Sequence, residues 1–363
     1  MIDFLGRHSR HYFFTALMLG MLLPFHFYSG EEIHPEGNEN EIELCTTALK
    51  KRSTINGVSF VASDVELTLD HLRPVQRIHP NWIAFMPFAF VQKEGNQLLF
   101  NSPRQWRGER VEGIRESVEL ARKLDLKVCL KLHVWSHYIP YTGDFELKTE
   151  EDWQEFEKSY TEYCMLYARL AEALDVELFC IGVEWRNFVR LRPEYWKGLI
   201  REVRAVYSGR VTYAANWDDY DDVPFWRELD VIGIDGYFPL SAEVVPDSCD
   251  LVSHWDVHMN EMAKVVRKEN KSILFLEYGY RSMEYNTKTP WDWSSNHPVS
   301  MEAQSNAYKA LFNSLWQQDW FEGGFLWKWY HNDAGSGGPS NNRFTPQNKP
   351  VEKVIQRYYR YYK

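Results

Sequence analysis

Two glutamates each close a run of strongly apolar residues. Leu178-Phe179-Cys180-Ile181-Gly182-Val183 ends in Glu184, and Ile273-Leu274-Phe275-Leu276 ends in Glu277. A pair of carboxylates ringed by aromatic side chains is the apparatus of glycosidic bond cleavage: one acid protonates the leaving oxygen, and the other attacks carbon or activates water. Aromatic residues stand at the ends of the apolar runs: Trp135 beyond His133, Trp185 after Glu184, Trp217 after Asn216, Tyr237 beyond Asp235, and Trp327 and Trp329 beyond Phe325-Leu326. Their faces can stack on the apolar C–H surface of sugar rings, whereas most other large aromatics serve packing. His133, Asn216, Asp235 and Arg281 offer polar contacts at the same ends. The plainer alternative for either glutamate is a strand-end residue paired with Arg186 or Arg281, and it weakens once two acids occupy matching positions. His133 and His137 lack a third ligand at metal-binding spacing, so neither a metal nor another cofactor is expected.

These residues need a scaffold that gathers strand ends. Short β-branched or aromatic runs alternate with longer stretches of helical periodicity, which implies a parallel sheet with helices packed outside it. Eight runs qualify as strands: 56–61, 82–88, 127–134, 177–184, 210–216, 230–237, 272–277 and 324–330. Eight is the number that closes a single (β/α)8 TIM barrel, whose chemistry sits at the C-terminal ends of its strands. Between them, Val111, Ile114, Val118 and Ala121 form one helical stripe, Pro193 suits a first helical turn, and the segment before the sixth strand is short enough to abbreviate its helix. A doubly wound open sheet is the structural rival, but no G-x-G-x-x-G follows the first strand, and Gly335-Ser336-Gly337-Gly338 leads into Pro339 instead of a helix. Strand alternation puts Glu184 on the face of Gly182 and Cys180, and Glu277 on the face of Phe275 and Ile273. Inward-pointing faces would make the two acids converge.

At these residues the chain resembles a retaining glycosidase of the large (β/α)8 clan with catalytic glutamates ending strands four and seven. More narrowly it is similar to glycoside hydrolase family 113, the β-mannanases. The resemblance is carried by Asn56-Gly57-Val58-Ser59-Phe60, Ile181-Gly182-Val183-Glu184, Ile232-Gly233-Ile234-Asp235-Gly236-Tyr237, Glu277-Tyr278-Gly279-Tyr280-Arg281 and Gly324-Phe325-Leu326-Trp327-Lys328-Trp329, in that order. It implies Glu184 as general acid/base, Glu277 as nucleophile, Tyr237 as hydrogen-bond donor to the nucleophile and Trp327 as the floor beneath the sugar. Much of the clan has Asn immediately before the acid/base, and here Val183 stands there. Contact with the sugar 2-hydroxyl is therefore expected from Asn216 or His133.

The remainder of the chain bounds this reading. Of 363 residues, 41 are Lys or Arg and 51 Asp or Glu, so the net charge is −10, and an acidic chain of this kind argues against a nucleic-acid partner. The basic, tyrosine-rich C-terminus reads as the last barrel helix. Residues 1–30 show Arg7 and Arg10 and then a short apolar stretch, the form of a cleaved export signal or a retained membrane anchor. Residues 31–54 read as a linker or loosely packed arm outside the fold, and residues 55–363 as the catalytic barrel. Five widely spaced cysteines give no disulfide framework. The expectation is an exported monomer acting on β-linked polysaccharide or oligosaccharide, most specifically β-1,4-mannan. Alternatives are a hydrolase of another β-glycan and a catalytically silent carbohydrate-binding barrel, which would not need both acids facing one cleft.

Overall fold

The structure, a computed structural model, describes Cys45, Leu49, Lys50 and residues 52–363 except Glu94. The expected export segment, residues 1–30, lies outside the described residues.

Eight parallel strands close on themselves: β1 (Ile55–Phe60), β2 (Trp82–Phe85), β3 (Lys127–Lys131), β4 (Leu178–Val183), β5 (Arg210–Asn216), β6 (Ile232–Asp235), β7 (Ile273–Tyr278) and β8 (Phe321–Trp329). Neighbours follow chain order, and β1 pairs with both β2 and β8. The outer layer holds α1 (Val111–Arg122), α2 (Glu150–Ala173), α3 (Pro193–Arg204), α4 (Ser248–Glu269), α5 (Met301–Ser314) and α6 (Pro350–Tyr361). In α1 the buried residues include Ile114, Val118 and Ala121, the stripe its periodicity predicts. Thr149 caps α2 by accepting from the Asp152 N–H, and Pro193 opens α3. Between β5 and β6 only two single 3₁₀ turns occur, Tyr220–Asp222 and Trp226–Glu228. The C-terminal helix α6 buries Val351, Val354, Ile355, Tyr358 and Tyr359, so its tyrosines are packing residues.

Strands β2 and β3 each end three residues earlier than their sequence runs suggest. The residues beyond β2 and β3 leave the barrel and form a separate rim sheet of Phe88–Val91, Leu98–Phe100 and His133–Trp135.

The barrel interior is filled by Ile55, Trp82, Ala84, Cys129, Leu178, Cys180, Ala214, Leu274, Leu276 and Phe325, with Val231 beside them. Gly57 makes room for this layer, since a Cβ there would lie 2.3 Å from Phe325 Cδ1. Membership of the layer corrects the expected strand faces. Leu274 and Leu276 point inward, while Ile273 and Phe275 belong to the outer core against the helices. Simple alternation would therefore aim Glu277 outward. Against β6, however, β7 gains one residue between Phe275 and Glu277, and this bulge turns the acid back over the barrel mouth. Strand β4 likewise gains one residue on β5 between Cys180 and Val183. Gly182 faces outward, where a Cβ would meet Tyr160 Oη at 2.6 Å and Trp196 at 2.9 Å.

Residues 31–54 do not lie wholly outside the fold, and the cysteines are not all unpaired. Cys45 is disulfide-bonded to Cys249 at the start of α4. Tyr361 Oη donates to the Leu49 carbonyl, Lys50 pairs with Asp319, and Arg52 reaches the Gln318 carbonyl. A bridge between residues 204 apart in sequence has no local spacing to betray it. Cys129, Cys164 and Cys180 are free and buried.

Candidate active site

The last inward position of β3 is Lys131, a cation with no exposed side-chain surface. Its Nζ donates to Glu277 Oε1 at 2.6 Å and to both Asp235 oxygens at 2.8 and 3.1 Å. Burial opposes the lysine charge, but Asp235 and Glu277 outweigh it and its pKa is raised, so Lys131 stays an ammonium. On the other side of Glu277, Tyr237 Oη donates to Oε2 at 2.7 Å. Burial and the Glu277 charge push the Tyr237 phenol up, which keeps it a donor. Glu277 thus accepts a hydrogen bond on each oxygen, from a cation and from a phenol.

Glu184 stands in the opposite environment. Its backbone N–H donates to the Ala214 carbonyl at 2.8 Å, and its φ of 52° is left-handed. A non-glycine residue held there stores roughly 1–3 kcal/mol, a cost found where surrounding structure fixes a functional side chain. Burial first, then the Asp235 and Glu277 charges, push its carboxyl well above the usual range. Arg186, once a candidate partner for Glu184, is engaged instead with Asp218 and Asp219. The charges of Glu277 and Asp235 act on Glu184, so the three carboxyl groups lie near one another at this end of the barrel.

Aromatic and polar residues complete the mouth. The half-buried Trp327 lies parallel to the His133 ring, with centroids 6.0 Å apart and planes at 9°. The Trp327–Lys328 peptide is cis. His133 Nε2 is 3.6 Å from Glu277 Oε1, and burial together with Lys131 and Lys328 lowers its pKa far enough to keep the ring neutral. Asn216 Nδ2 donates to Tyr141 Oη at 3.1 Å and to Asp218 Oδ1 at 3.0 Å. The Arg186 guanidinium lies over the Tyr141 ring, 5.5 Å from its centre. Trp217 stacks on Trp291 with centroids 4.9 Å apart, and Trp135 is exposed on the rim sheet.

Three expected sugar contacts lie elsewhere, and a fourth is in the site but out of reach of a sugar. Trp185 is buried among Phe145, Phe156, Tyr160 and Phe188, because the chain turns into a helix at Arg186 and carries the indole outward. Trp329 has no exposed surface and lies under Arg77, 5.3 Å away. Its position follows from a register shift in which Ser59 pairs with Trp327 but the next residue, Phe60, pairs with Trp329. Arg281 is buried and donates to the carbonyls of Asn342, Asp292 and Ser295, so it braces loops and does not touch Glu277. Asp235 is in the site but sealed beneath Lys131; burial and Glu277 push its carboxyl up to about 7.

Sequence reasoning places Lys131 at the end of the third strand without a role and passes over Tyr141. Lys131 had a legible signal, a lysine two residues beyond the inward-facing Cys129 at the C-terminal end of β3. Tyr141 sits in a loop and had none.

A closed eight-stranded parallel barrel with helices outside it is the (β/α)8 fold, and two glutamates in contrasting environments stand at its mouth near Trp327, whose ring lies between His133 and the Lys328 ammonium. The chain belongs to Glycoside Hydrolase Family 113, whose family model matches residues 63–349. Among solved structures it is similar to a GH113 β-1,4-mannanase complex at TM-score 0.74 and 26% identity, covering 85% of this chain and 99% of that one. The GH113 β-mannanase AaManA from Alicyclobacillus acidocaldarius, in complex with ManMIm, shares the fold at TM-score 0.74 and 24% identity, over 85% and 97% of the two chains. A Ruminococcus gnavus β-glucuronidase shares the barrel at TM-score 0.56 and 12% identity, over 85% of this chain and 50% of that one. No curated protein matches the chain.

Proposed function

We propose that this protein is a retaining hydrolase of β-1,4-mannan, cutting within the chain, with Glu277 as nucleophile and Glu184 as general acid/base. The observation that carries the reading is the contrast between the two acids. Glu277 accepts from Lys131 and Tyr237, contacts that suit a carboxylate anion, while burial and the Asp235 and Glu277 charges push the Glu184 carboxyl up, which favours its acid form. In the first step Glu277 attacks the anomeric carbon as Glu184 protonates the departing oxygen. Glu184, now an anion, then takes a proton from water, which attacks the same carbon and releases Glu277.

The choice of mannan rests on family membership and on solved relatives described as β-1,4-mannanases. For the 2-hydroxyl contact, His133 is favoured over Asn216. His133 Nε2 is buried with no hydrogen-bond partner among the described residues, whereas Asn216 Nδ2 is already committed twice. The mechanism is tested by trapping with an activated 2-deoxy-2-fluoro-β-mannoside followed by peptide mass spectrometry. The expected label is on the peptide bearing Glu277; a label on any other carboxylate would overturn the assignment.

We also propose export. The charged and then apolar N-terminus supports it, as does the Cys45–Cys249 disulfide, a bond that persists in oxidising compartments. Recovery of the native protein only from the reducing cytosolic fraction would contradict this.

A further inference from the structure

The rim sheet has two unlike faces. Ala89, Val91, Val134 and Leu98 are buried on one, and Phe100 joins them against Tyr163. The other carries Phe88, Phe90, Leu99, His133 and Trp135, all half-buried or exposed. Register fixes their grouping: Phe88 pairs with His133, and Phe90 lies between Leu99 and Trp135. A wet sheet face normally carries polar residues, so a contiguous aromatic one calls for a ligand.

The face is continuous with the catalytic mouth. His133 belongs to both, stacked on Trp327 on one side and 5.1 Å from the Phe88 ring on the other. Two residues further along the same strand, Trp135 is 47% exposed, buttressed edge-on by Phe90 at 6.3 Å and by His137 at 4.3 Å. Alternate residues of a strand are roughly 7 Å apart, about the span of one pyranose ring. A sugar chain leaving the Trp327 floor past His133 would therefore meet the Trp135 indole within a unit or two.

We propose that this rim face, centred on Trp135 and Phe90, is a remote subsite that stacks sugar units of the same polysaccharide chain away from the scissile bond. The proposal rests on the glycoside hydrolase reading above and adds a place for the substrate's length. A protein docked on the face is the competing occupant. The sugar chain is favoured because the face begins inside the mouth, beside Glu277.

The test compares wild type, Trp135→Ala and Phe90→Ala on β-1,4-mannohexaose and on an aryl β-mannobioside. The ratio of kcat/KM for the hexaose to that for the short glycoside should fall about tenfold in each variant, the worth of one aromatic contact. An unchanged ratio would overturn the subsite, as would an equal fall on both substrates. Thermal melts confirm that the variants fold, and Phe90→Ala gives a second reading if Trp135→Ala does not. If wild type cleaves no mannan, the proposed function fails, and the subsite is read by electrophoresis through mannan, glucan or xylan gels. Retardation of wild type that Trp135→Ala abolishes would sustain it; equal mobility of the two would leave the face to a protein partner and overturn it.

Discussion

Lys131, Asp235 and Glu277 bury one cation and two carboxylates together, with only Glu277 keeping a little exposed surface, an arrangement that holds only while every member is paired. Removing the cation strands both acids. Lys131→Met should therefore destabilise the fold by about 3–5 kcal/mol in urea titrations. Adding Asp235→Asn should return part of that loss, and additive effects of the two changes would show that the triad is not a unit. Glu184 is the pH-sensitive member. Its folded-state pKa is raised, so the protonated acid persists above the ordinary carboxyl range, and activity must fall as pH rises through that raised value. With an activated aryl leaving group that needs no proton, Glu184→Gln should keep measurable glycosylation and lose this alkaline limb. Persistence of the limb would assign it to another group. At this scale the glutamates were legible because each interrupts an apolar run. Trp185 and Arg281 misled because a residue just past a strand end can turn to either side of the barrel.

Strands β4, β7 and β8 share one device: each gains a residue over a neighbour near its C-terminal end. Those shifts bring Glu277 inward, set the approach to Glu184 and send Trp329 away from the mouth. Eight strands and their order could be read from hydrophobic runs, because the barrel needs only their number and spacing. The bulges could not, since alternation of residue types is silent about where one extra residue is accommodated. Gly182 gives a direct test of the β4 geometry. In Gly182→Ala the new methyl must push on Tyr160 and Trp196, so a loss of about 1–3 kcal/mol is expected, together with a fall in kcat as Glu184 shifts. A variant as stable and active as wild type would show that the outer face of β4 has room the packing does not suggest.

Over the whole molecule, an acidic chain of 363 residues resolves into a barrel from Ile55 onward, with the preceding arm tied to it by the Cys45–Cys249 bridge and by contacts at residues 49–52. Among the described residues no helix is long and apolar enough to cross a membrane. Because the bridge closes a long loop, Cys249→Ser should cost about 2–4 kcal/mol in denaturant titrations, and no change in midpoint would mean the arm adds nothing to stability. Most aromatics belong to the shell between strands and helices, while Trp327, Trp217, Trp291 and Trp135 keep some exposed surface. The proposed double displacement at one anomeric carbon leaves a stereochemical trace in its product. The most direct test is proton NMR of β-1,4-mannohexaose during the first minutes of hydrolysis. It predicts that the new reducing end appears first as the β-anomer and only later mutarotates; first appearance of the α-anomer would contradict it.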